Sequence, residues 1–225
     1  MIEALLCDID GTLVQSNWLH AEAWQIAFGA MGVHLELEEL RRQIGKGGDE
    51  LIPVFIPWWK QEIVEEPLKT FRKFVFQHGL RQKVGPIPGV RPLLERVRAA
   101  GIKVAIASSS QKDDLAVLKR VANIEDLVDT QTSADDAERS KPHPDIFAVA
   151  LRKLSLKPSQ CLALGDTPYD AESAGKAGIR TVGVTTGGWS KEDLLAAGCI
   201  EVYDGAADLL ANFDRSALMR TGLHG

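Results

Sequence analysis

Over much of the chain, short apolar runs alternate with longer stretches in which apolar residues recur every three or four positions. Four of the short runs are typical of buried strands and comprise residues 4–7, 102–107, 161–164 and 179–184. Between them, residues 90–100 place Leu93, Leu94 and Val97 on one face and are followed by Gly101, as is typical of a helix and its end. The alternation predicts right-handed strand–helix–strand units and a parallel sheet covered on both faces.

Residues 15–86 depart from this alternation and predict helices only. Apolar positions repeat at helical spacing in three segments, residues 20–31, 35–44 and 59–78. We expect the third segment to break or kink at Pro67 and to end at Gly79. Four of the five tryptophans lie in this part of the chain and are expected in its core: Trp18, Trp24, Trp58 and Trp59.

These patterns predict an α/β fold with two parts. Residues 1–14 and 87–225 would form a Rossmann-like core with a parallel sheet, and residues 15–86 an inserted α-helical domain. The glycines and prolines of residues 85–89 are typical of a hinge where the chain returns to the core. Residues 214–225 carry no pattern, and we expect them to fray.

Composition and charge narrow the class of protein. Of 225 residues, 45% are hydrophobic and 25% charged, which is close to the average for globular proteins and excludes disorder throughout. A net charge of −5 without a long basic run disfavours nucleic-acid and membrane partners. The three cysteines show no CxxC spacing, and the N-terminus resembles no export signal. We therefore expect a cytoplasmic protein with reduced thiols.

Four polar clusters carry candidate chemistry. They are Asp8–Thr12, Ser108–Ser110, Lys141–Asp145 and Gly165–Asp170. Three of them directly follow predicted strands, and the Lys141 cluster precedes a predicted helix. Because the carboxyl ends of parallel strands meet at one edge of a sheet, the clusters are expected to form one site.

The residue types in these clusters favour phosphoryl transfer. Carboxylate oxygens without clustered histidines or cysteines suit Mg²⁺ better than Zn²⁺. No Ser–His or Cys–His pairing is evident, so the available nucleophile is an aspartate. A cation and a lysine would neutralise charge on the transferred group, and one acid would carry the proton of the leaving group.

In order along the chain, Asp8–Leu13, Ser108, Lys141-Pro142 and Gly165–Asp170 resemble the four motifs of the haloacid dehalogenase-like hydrolase superfamily. The helical insertion after the first motif resembles its small-cap subgroup, which includes phosphoglycolate phosphatases, sugar-phosphate phosphatases and β-phosphoglucomutase. The resemblance extends over nearly the whole chain. It implies Mg²⁺-dependent hydrolysis of a small phosphate monoester by a monomer or weak homodimer. The alternatives are a β-phosphoglucomutase-like phosphomutase and, third, a non-catalytic protein that binds a phosphorylated metabolite.

The resemblance also implies roles for the catalytic residues. Asp8 would attack phosphorus and become an aspartyl-phosphate, and Asp10 would protonate the leaving oxygen and then activate water. Ser108, with Ser109 helping, would bind the phosphoryl oxygens. Lys141 would stabilise Asp8 and the charge of the phosphoryl group.

For the metal, the resemblance implies ligation by Asp8, the backbone carbonyl of Asp10, and Asp166. Asp170 would support the ion directly or through water. A second interpretation of Asp170 is open, namely that it is the N-cap of a helix starting at Ala171. Ser110 and Gln111 are interpreted as polar residues that cap the following helix.

Two residues of the inserted domain are candidates for substrate binding. His20 lies on the apolar face of the first predicted helix, and both core filling and an active-site role are open. Lys46 lies in a glycine-rich loop, where we expect it to bind an anionic group, with a solvated turn residue as the alternative. That loop offers a single lysine followed by Asp49, which would repel a second phosphate and therefore favours a phosphatase over a mutase.

Overall fold

The computed structural model describes residues 1–220, in which eight strands form two sheets. In chain order the strands are β1 (Ala4–Cys7), β2 (Val14–Gln15), β3 (Gly85–Pro86), β4 (Lys103–Ala107), β5 (Thr130–Thr132), β6 (Cys161–Gly165), β7 (Arg180–Val184) and β8 (Cys199–Tyr203). Six of these strands form one sheet in the order β5-β4-β1-β6-β7-β8. All neighbours in this sheet are parallel, and β1 pairs Ala4 with Lys103 of β4 and with Cys161 of β6.

Helices cover both faces of this sheet. In the described residues the α-helices are α1 (Asn17–Ala30), α2 (Leu37–Arg41), α3 (Gly48–Phe55), α4 (Trp58–Val75), α5 (Val90–Ala99), α6 (Lys112–Val121), α7 (Asp145–Leu154), α8 (Pro168–Lys176), α9 (Lys191–Ala196) and α10 (Ala206–Ala211). Leu5 and Cys7 of β1 pack in one core cluster with residues of α5, α6 and α10. Ala4 and Leu6 point to the opposite face and pack with residues of α7 and α8. The predicted α/β class is confirmed.

Helices α1 to α4 form a separate packing unit with its own apolar core. Trp24 and Phe28 of α1 pack there against Leu40, Leu51 and Leu68. The chain leaves the sheet and returns to it through the short antiparallel pair β2–β3, in which Val14 pairs with Pro86 and Gln15 with Gly85. We refer to residues 15–86 as the cap.

The longest cap helix differs from its prediction. Helix α4 continues through Pro67 and then into a π-helical turn, Phe76–Leu80, so neither Pro67 nor Gly79 ends it. A proline at 67 cannot donate to the carbonyl of Ile63, but Ile63 is exposed, so water can bind that carbonyl. Within α4 only Leu68 is buried, because the helix contacts α1 and α3 on one side and solvent on the other.

The expectation that the cap tryptophans form its core is wrong for three of them. Trp24 is buried, but Trp18, Trp58 and Trp59 are 52%, 78% and 62% exposed. A domain of four helices has one small interior, and it is filled by four residues of α1 and by one or two from each of the other three helices.

Four short strands were not predicted, namely β2, β3, β5 and β8. At the C-terminus, Ala217 and Leu218 are buried in the core, so fraying is wrong for residues 214–220. Residues 221–225 lie outside the described residues. Within residues 1–220, none of the helices combines the length and the apolar character needed to cross a bilayer.

Candidate active site

Asp8 and Asp166 lie at the carboxyl ends of the adjacent strands β1 and β6. Asp170 lies in the first turn of α8, which follows β6. One carboxylate oxygen from each of the three residues lies within 4.8 Å of the other two, and all three residues are buried. The sheet therefore brings together three of the acids singled out from the sequence.

Lys141 lies between two of these acids. Its Nζ donates to Asp8 Oδ1 at 2.5 Å and to Asp170 Oδ1 at 2.7 Å, and the side chain is fully buried. Burial alone would lower the pKa of Lys141, but the charges of Asp170 and Asp8 outweigh burial and raise it. Lys141 is therefore a permanent cation in the centre of the cluster.

The carboxylate of Asp166 is held on several sides. Thr12 Oγ1 donates to Oδ1 at 2.6 Å, and Asn17 Nδ2 donates to Oδ2 at 2.8 Å. A Cβ atom at Gly11, whose φ is +82°, would lie 2.3 Å from Asp166 Oδ2, and one at Gly187 would lie 1.8 Å from it. Both glycines are therefore needed for the backbone to approach this carboxylate.

The cluster carries more negative charge than its surroundings compensate. Burial raises the pKa of Asp8 to about 7, with repulsion from Asp170 and Asp10 adding to it and Lys141 opposing it. Burial, followed by the charges of Asp170 and Asp8, also raises the pKa of Asp166. Three buried carboxylates around one ammonium fit a divalent cation, and a donor set made only of oxygen suits a hard ion.

Asp170 is not the N-cap of its helix, so that interpretation is wrong. Helix α8 starts at Pro168, and Thr167 is its N-cap. Asp170 Oδ2 accepts from the backbone N–H of Thr167 at 3.0 Å and from its hydroxyl at 2.7 Å, which completes a capping box. This arrangement leaves Asp170 Oδ1 facing Lys141.

Asp10 lies outside the cluster of three acids and is bound by three side chains. Ser16 Oγ donates to Oδ1 and Ser110 Oγ donates to Oδ2, both at 2.6 Å, and His20 Nε2 lies 2.8 Å from Oδ1. Burial would raise the pKa of Asp10, but His20 and the serine hydrogen bonds hold it well below its usual range. In this arrangement Asp10 is a carboxylate.

His20 is oriented by a residue of another helix. Arg72 of α4 donates from its guanidinium to His20 Nδ1, and the imidazole stacks on Phe76 with 4.0 Å between ring centroids. Because a guanidinium has no acceptor, Nδ1 carries no hydrogen, and the Nε2–H group must donate to Asp10. His20 is thus buried in the cap but bonded to the site.

The three serines that follow β4 contact different groups. Ser108 is buried, and its Oγ accepts from the backbone N–H of Ser110 at 3.0 Å. Ser109 Oγ donates to the carbonyl of Gly45 in the cap at 3.4 Å. Gln111 is the N-cap of α6, so the interpretation as a capping residue is confirmed for Gln111 and wrong for Ser110.

A cavity of about 500 Å³ lies between the core and the cap, within the usual range for small-molecule sites. Asp8, Asp10 and the serines line its core side, and His20 and Lys46 line its cap side. Lys46 Nζ donates to Gln43 Oε1 at 2.6 Å and lies 4.7 Å from the centroid of the Tyr169 ring. Burial lowers the pKa of Lys46.

Contacts between cap and core surround this cavity. On one side, Glu50 of the cap is paired with Arg139 and His143, at 3.0 and 3.1 Å. On the other side, Arg41 Nη1 donates to the carbonyl of Gly187 at 3.0 Å, and Tyr169 donates its hydroxyl hydrogen to the carbonyl of Arg42 at 2.6 Å. These contacts hold the cap against the core on two sides of the cavity.

Comparison with known proteins identifies the family. Residues 5–184 match the family model described as haloacid dehalogenase-like hydrolase. The chain belongs to this family.

The similar proteins match this hydrolase over nearly its whole length. Protein CbbY of Cereibacter sphaeroides is 29% identical, over 96% of this chain and 99% of CbbY. A phosphorylated carbohydrates phosphatase of Thermotoga maritima is also 29% identical, over 88% of this chain and 93% of that protein. The crystal structure of a hydrolase from Pseudomonas syringae superposes with a TM-score of 0.85 at 27% identity, and the match covers 96% of this chain and 99% of that one.

Two contacts in the site of this hydrolase were missed from the sequence. Arg72 lies 52 residues after His20, and Asn17 lies 149 residues before Asp166. Arg72 is one of many charged residues of its helix, and Asn17 follows a serine at a helix start, so neither differs in sequence from an ordinary surface residue. The packing of α4 on α1 identifies Arg72, and the packing of the cap on the core identifies Asn17.

Proposed function

We propose that this hydrolase is a Mg²⁺-dependent phosphatase that removes phosphate from a small phosphorylated metabolite through an aspartyl-phosphate on Asp8. One observation carries the proposal, namely the buried cluster of Asp8, Asp166, Asp170 and Lys141 at the edge of the cavity between core and cap. The similarity to a phosphorylated carbohydrates phosphatase supports it.

In the first step, a carboxylate oxygen of Asp8 attacks phosphorus and the bond between phosphorus and the ester oxygen breaks. The leaving oxygen takes a proton from Asp10, whose pKa rises when a phosphate dianion approaches it. Ser108 and Ser109 bind the phosphoryl oxygens, and Lys141 stabilises the negative charge that develops on them. Bound Mg²⁺, held by Asp8 and Asp166 with support from Asp170, would supply further neutralisation of this charge.

In the second step, Asp10 acts as a base. The hydrogen bonds from Ser16, His20 and Ser110 favour its carboxylate form, which accepts a proton from water. The water oxygen then attacks phosphorus, the bond to Asp8 breaks, and inorganic phosphate leaves. The attacking water is the only solvent molecule that takes part in this step, because the cap excludes bulk solvent.

The cap side of the cavity indicates the substrate class. This side is lined by Lys46 of the cap loop and by three cationic residues of α4, namely Lys69, Arg72 and Lys73. Most of the cations that the cap offers to a substrate therefore lie outside the loop. Lys69 is paired with two glutamates of its own helix, whereas Lys46 and Lys73 pair with no acid in residues 1–220. We propose that Lys46 and Lys73 bind the end of the substrate distant from the transferred phosphate, in a molecule of the size of a phosphorylated sugar.

The same cations make a phosphomutase the second candidate. They would hold the idle phosphate of a bisphosphate intermediate, which the loop of residues 45–49 alone would repel. The two candidates differ in their product. A phosphatase releases inorganic phosphate, whereas a mutase returns the phosphate to the sugar.

A screen of phosphorylated metabolites, with Mg²⁺ and with a chelator, tests the proposal. We expect stoichiometric release of inorganic phosphate from at least one sugar phosphate or phosphoglycolate with Mg²⁺, and only background release with the chelator. Isomerisation of β-glucose 1-phosphate to glucose 6-phosphate faster than phosphate appears would favour the mutase. Full activity after exhaustive chelation would contradict the metal dependence.

Alanine substitution tests the cap lysines. Lys46→Ala and Lys73→Ala are each expected to raise KM about tenfold and to lower kcat less than threefold, because they bind a part of the substrate that does not react. Steady-state kinetics on the best substrate measures both constants. Lys60→Ala is the matched control, since Lys60 is exposed on the same helix away from the cavity. Unchanged KM in both variants would remove the lysines from the substrate site.

The proposal also includes the division of the chain into a cap and a core. We propose that residues 15–86 move as a cap against the core of residues 1–14 and 87–225, with the β2–β3 pair as the hinge. Both connections between the parts lie in this pair, which supports the assignment. Opening would admit substrate, and closure would complete the site. A cytoplasmic location stays a prediction.

A further inference from the structure

The first turn of α1 extends from the cap into the acid cluster of the core. Asn17 is the first residue of this helix and is 6% exposed. Its Nδ2 donates to Asp166 Oδ2 at 2.8 Å. In the same turn, Ser16 and His20 bind Asp10 instead. A cap residue therefore holds the carboxylate that is proposed to bind the metal.

The other end of the Asn17 amide has no partner. Its Oδ1 is buried and accepts no hydrogen bond from any residue between 1 and 220. As the carboxylate that would bind a metal, Asp166 only accepts hydrogen bonds and requires the NH₂ group, so the amide cannot be reversed to relieve this. A buried carbonyl oxygen without a donor is unfavourable, so a ligand that brings a donor to this position is favoured.

Bound Mg²⁺ brings such donors. This ion usually keeps several water molecules when it binds carboxylates, and their hydrogens point away from it. Side chains that hold a metal ligand commonly also contact the groups around the ion. The amide of Asn17, with one end on Asp166 and the other unpaired and buried, has the chemistry for both contacts.

We propose that Asn17 is a positioning residue for the metal site: it fixes Asp166 through Nδ2 and accepts a hydrogen bond from metal-bound water through Oδ1. The inference rests on the proposed metal dependence. Thr12 holds the other oxygen of Asp166, and Gly11 and Gly187 leave its carboxylate little room to rotate. Among residues 1–220, Asn17 thus supplies the one hydrogen bond to the Asp166 carboxylate that comes from the cap.

Metal binding and cap closure are then coupled. Opening the cap moves α1 and separates Asn17 from Asp166, so the ion binds more tightly to the closed form. By thermodynamic reciprocity, the ion favours closure by the same factor. The cap therefore contributes to Mg²⁺ affinity before any substrate is present.

Calorimetric titration of Mg²⁺ alone into the full chain, previously stripped with a chelator, tests this proposal. We expect Asn17→Ala to weaken the affinity for Mg²⁺ about tenfold, the size typical for residues that support a metal ligand. Asn17→Ser is expected to do the same, since its hydroxyl is too short to reach Asp166 and serine is well tolerated at a helix start. Gln25→Ala is the matched control, because it removes an amide hydrogen bond of the same helix, to the carbonyl of Leu35 in the cap, and is expected to change Mg²⁺ affinity less than twofold.

The outcomes separate this inference from the proposed function. Mg²⁺ affinity equal to that of the wild type in a folded Asn17→Ala or Asn17→Ser variant would overturn the role of Asn17 alone. An equal loss of affinity in Gln25→Ala would also overturn it, since the effect would then belong to the helix in general. Failure of the wild-type protein to bind Mg²⁺ would instead contradict the metal dependence itself.

Discussion

The Asp8→Asn variant is expected to lower turnover of the best substrate by about a thousandfold or more. An amide of the same size still accepts the hydrogen bond from Lys141 but does not attack phosphorus, so the covalent step is lost. Phosphate release by purified protein with Mg²⁺ measures the effect. Asp113→Asn is the matched control, because Asp113 is exposed on α6 and should leave turnover unchanged. Residual turnover above a few per cent of wild type would mean that another group attacks.

The same variant is expected to remain folded, and its stability should depend on pH in a defined direction. Burial raises the pKa of Asp8 to about 7, well above the unfolded value of about 3.9. Because the folded state then binds this proton more tightly than the unfolded state, the free energy of unfolding falls as the pH rises from about 4 through about 7. In chelator, Asp8→Asn should therefore be more stable than wild type at pH 8, and the difference should shrink at pH 4. Denaturant unfolding at both pH values measures it, and a variant less stable at pH 8 would contradict it.

Lys141→Met is expected to lower the free energy of unfolding by about 3–5 kcal/mol and to abolish turnover. The substitution removes a fully buried ammonium and leaves the carboxylates of Asp8 and Asp170 without their counter-charge. Asp8 then favours its protonated form, which is a poor nucleophile. Denaturant unfolding and the phosphate assay measure the two effects.

A surface ion pair provides the comparison for Lys141. Lys153 pairs with Asp136 at 2.9 Å, with both side chains about one-third exposed. Lys153→Met should therefore cost less than about 1 kcal/mol and leave turnover unchanged. If Lys141→Met cost as little, the buried ion pairs would not hold the cluster together.

The fold class and the meeting of Asp8 with Asp166 were predictable because both depend on local pattern and on one geometric rule. Apolar runs mark buried strands, and the carboxyl ends of parallel strands share an edge. Residues that follow such runs are therefore neighbours although more than 150 positions separate them. The neighbouring order of β4, β1 and β6 completes the agreement.

What could not be predicted depends on how elements distant in the sequence pack on one another. Asn17, Arg72 and Ser110 each make a contact that no spacing in the sequence indicates, since their partners lie in other elements. The exposure of Trp58 and Trp59 was missed for a related reason. Large apolar side chains predict burial on average, but a small domain has too little interior for all of them.

The pairing of β1 has a consequence for synthesis of the protein. Among the strands of the larger sheet β1 comes first in the chain, yet its partners are Lys103–Ala107 and Cys161–Gly165, which follow about 100 and 160 residues later. The cap helices lie between β1 and both partner strands and contact one another locally. During synthesis we therefore expect β1 to stay an unpaired apolar strand while the cap helices emerge, and chaperone protection to matter most for this segment.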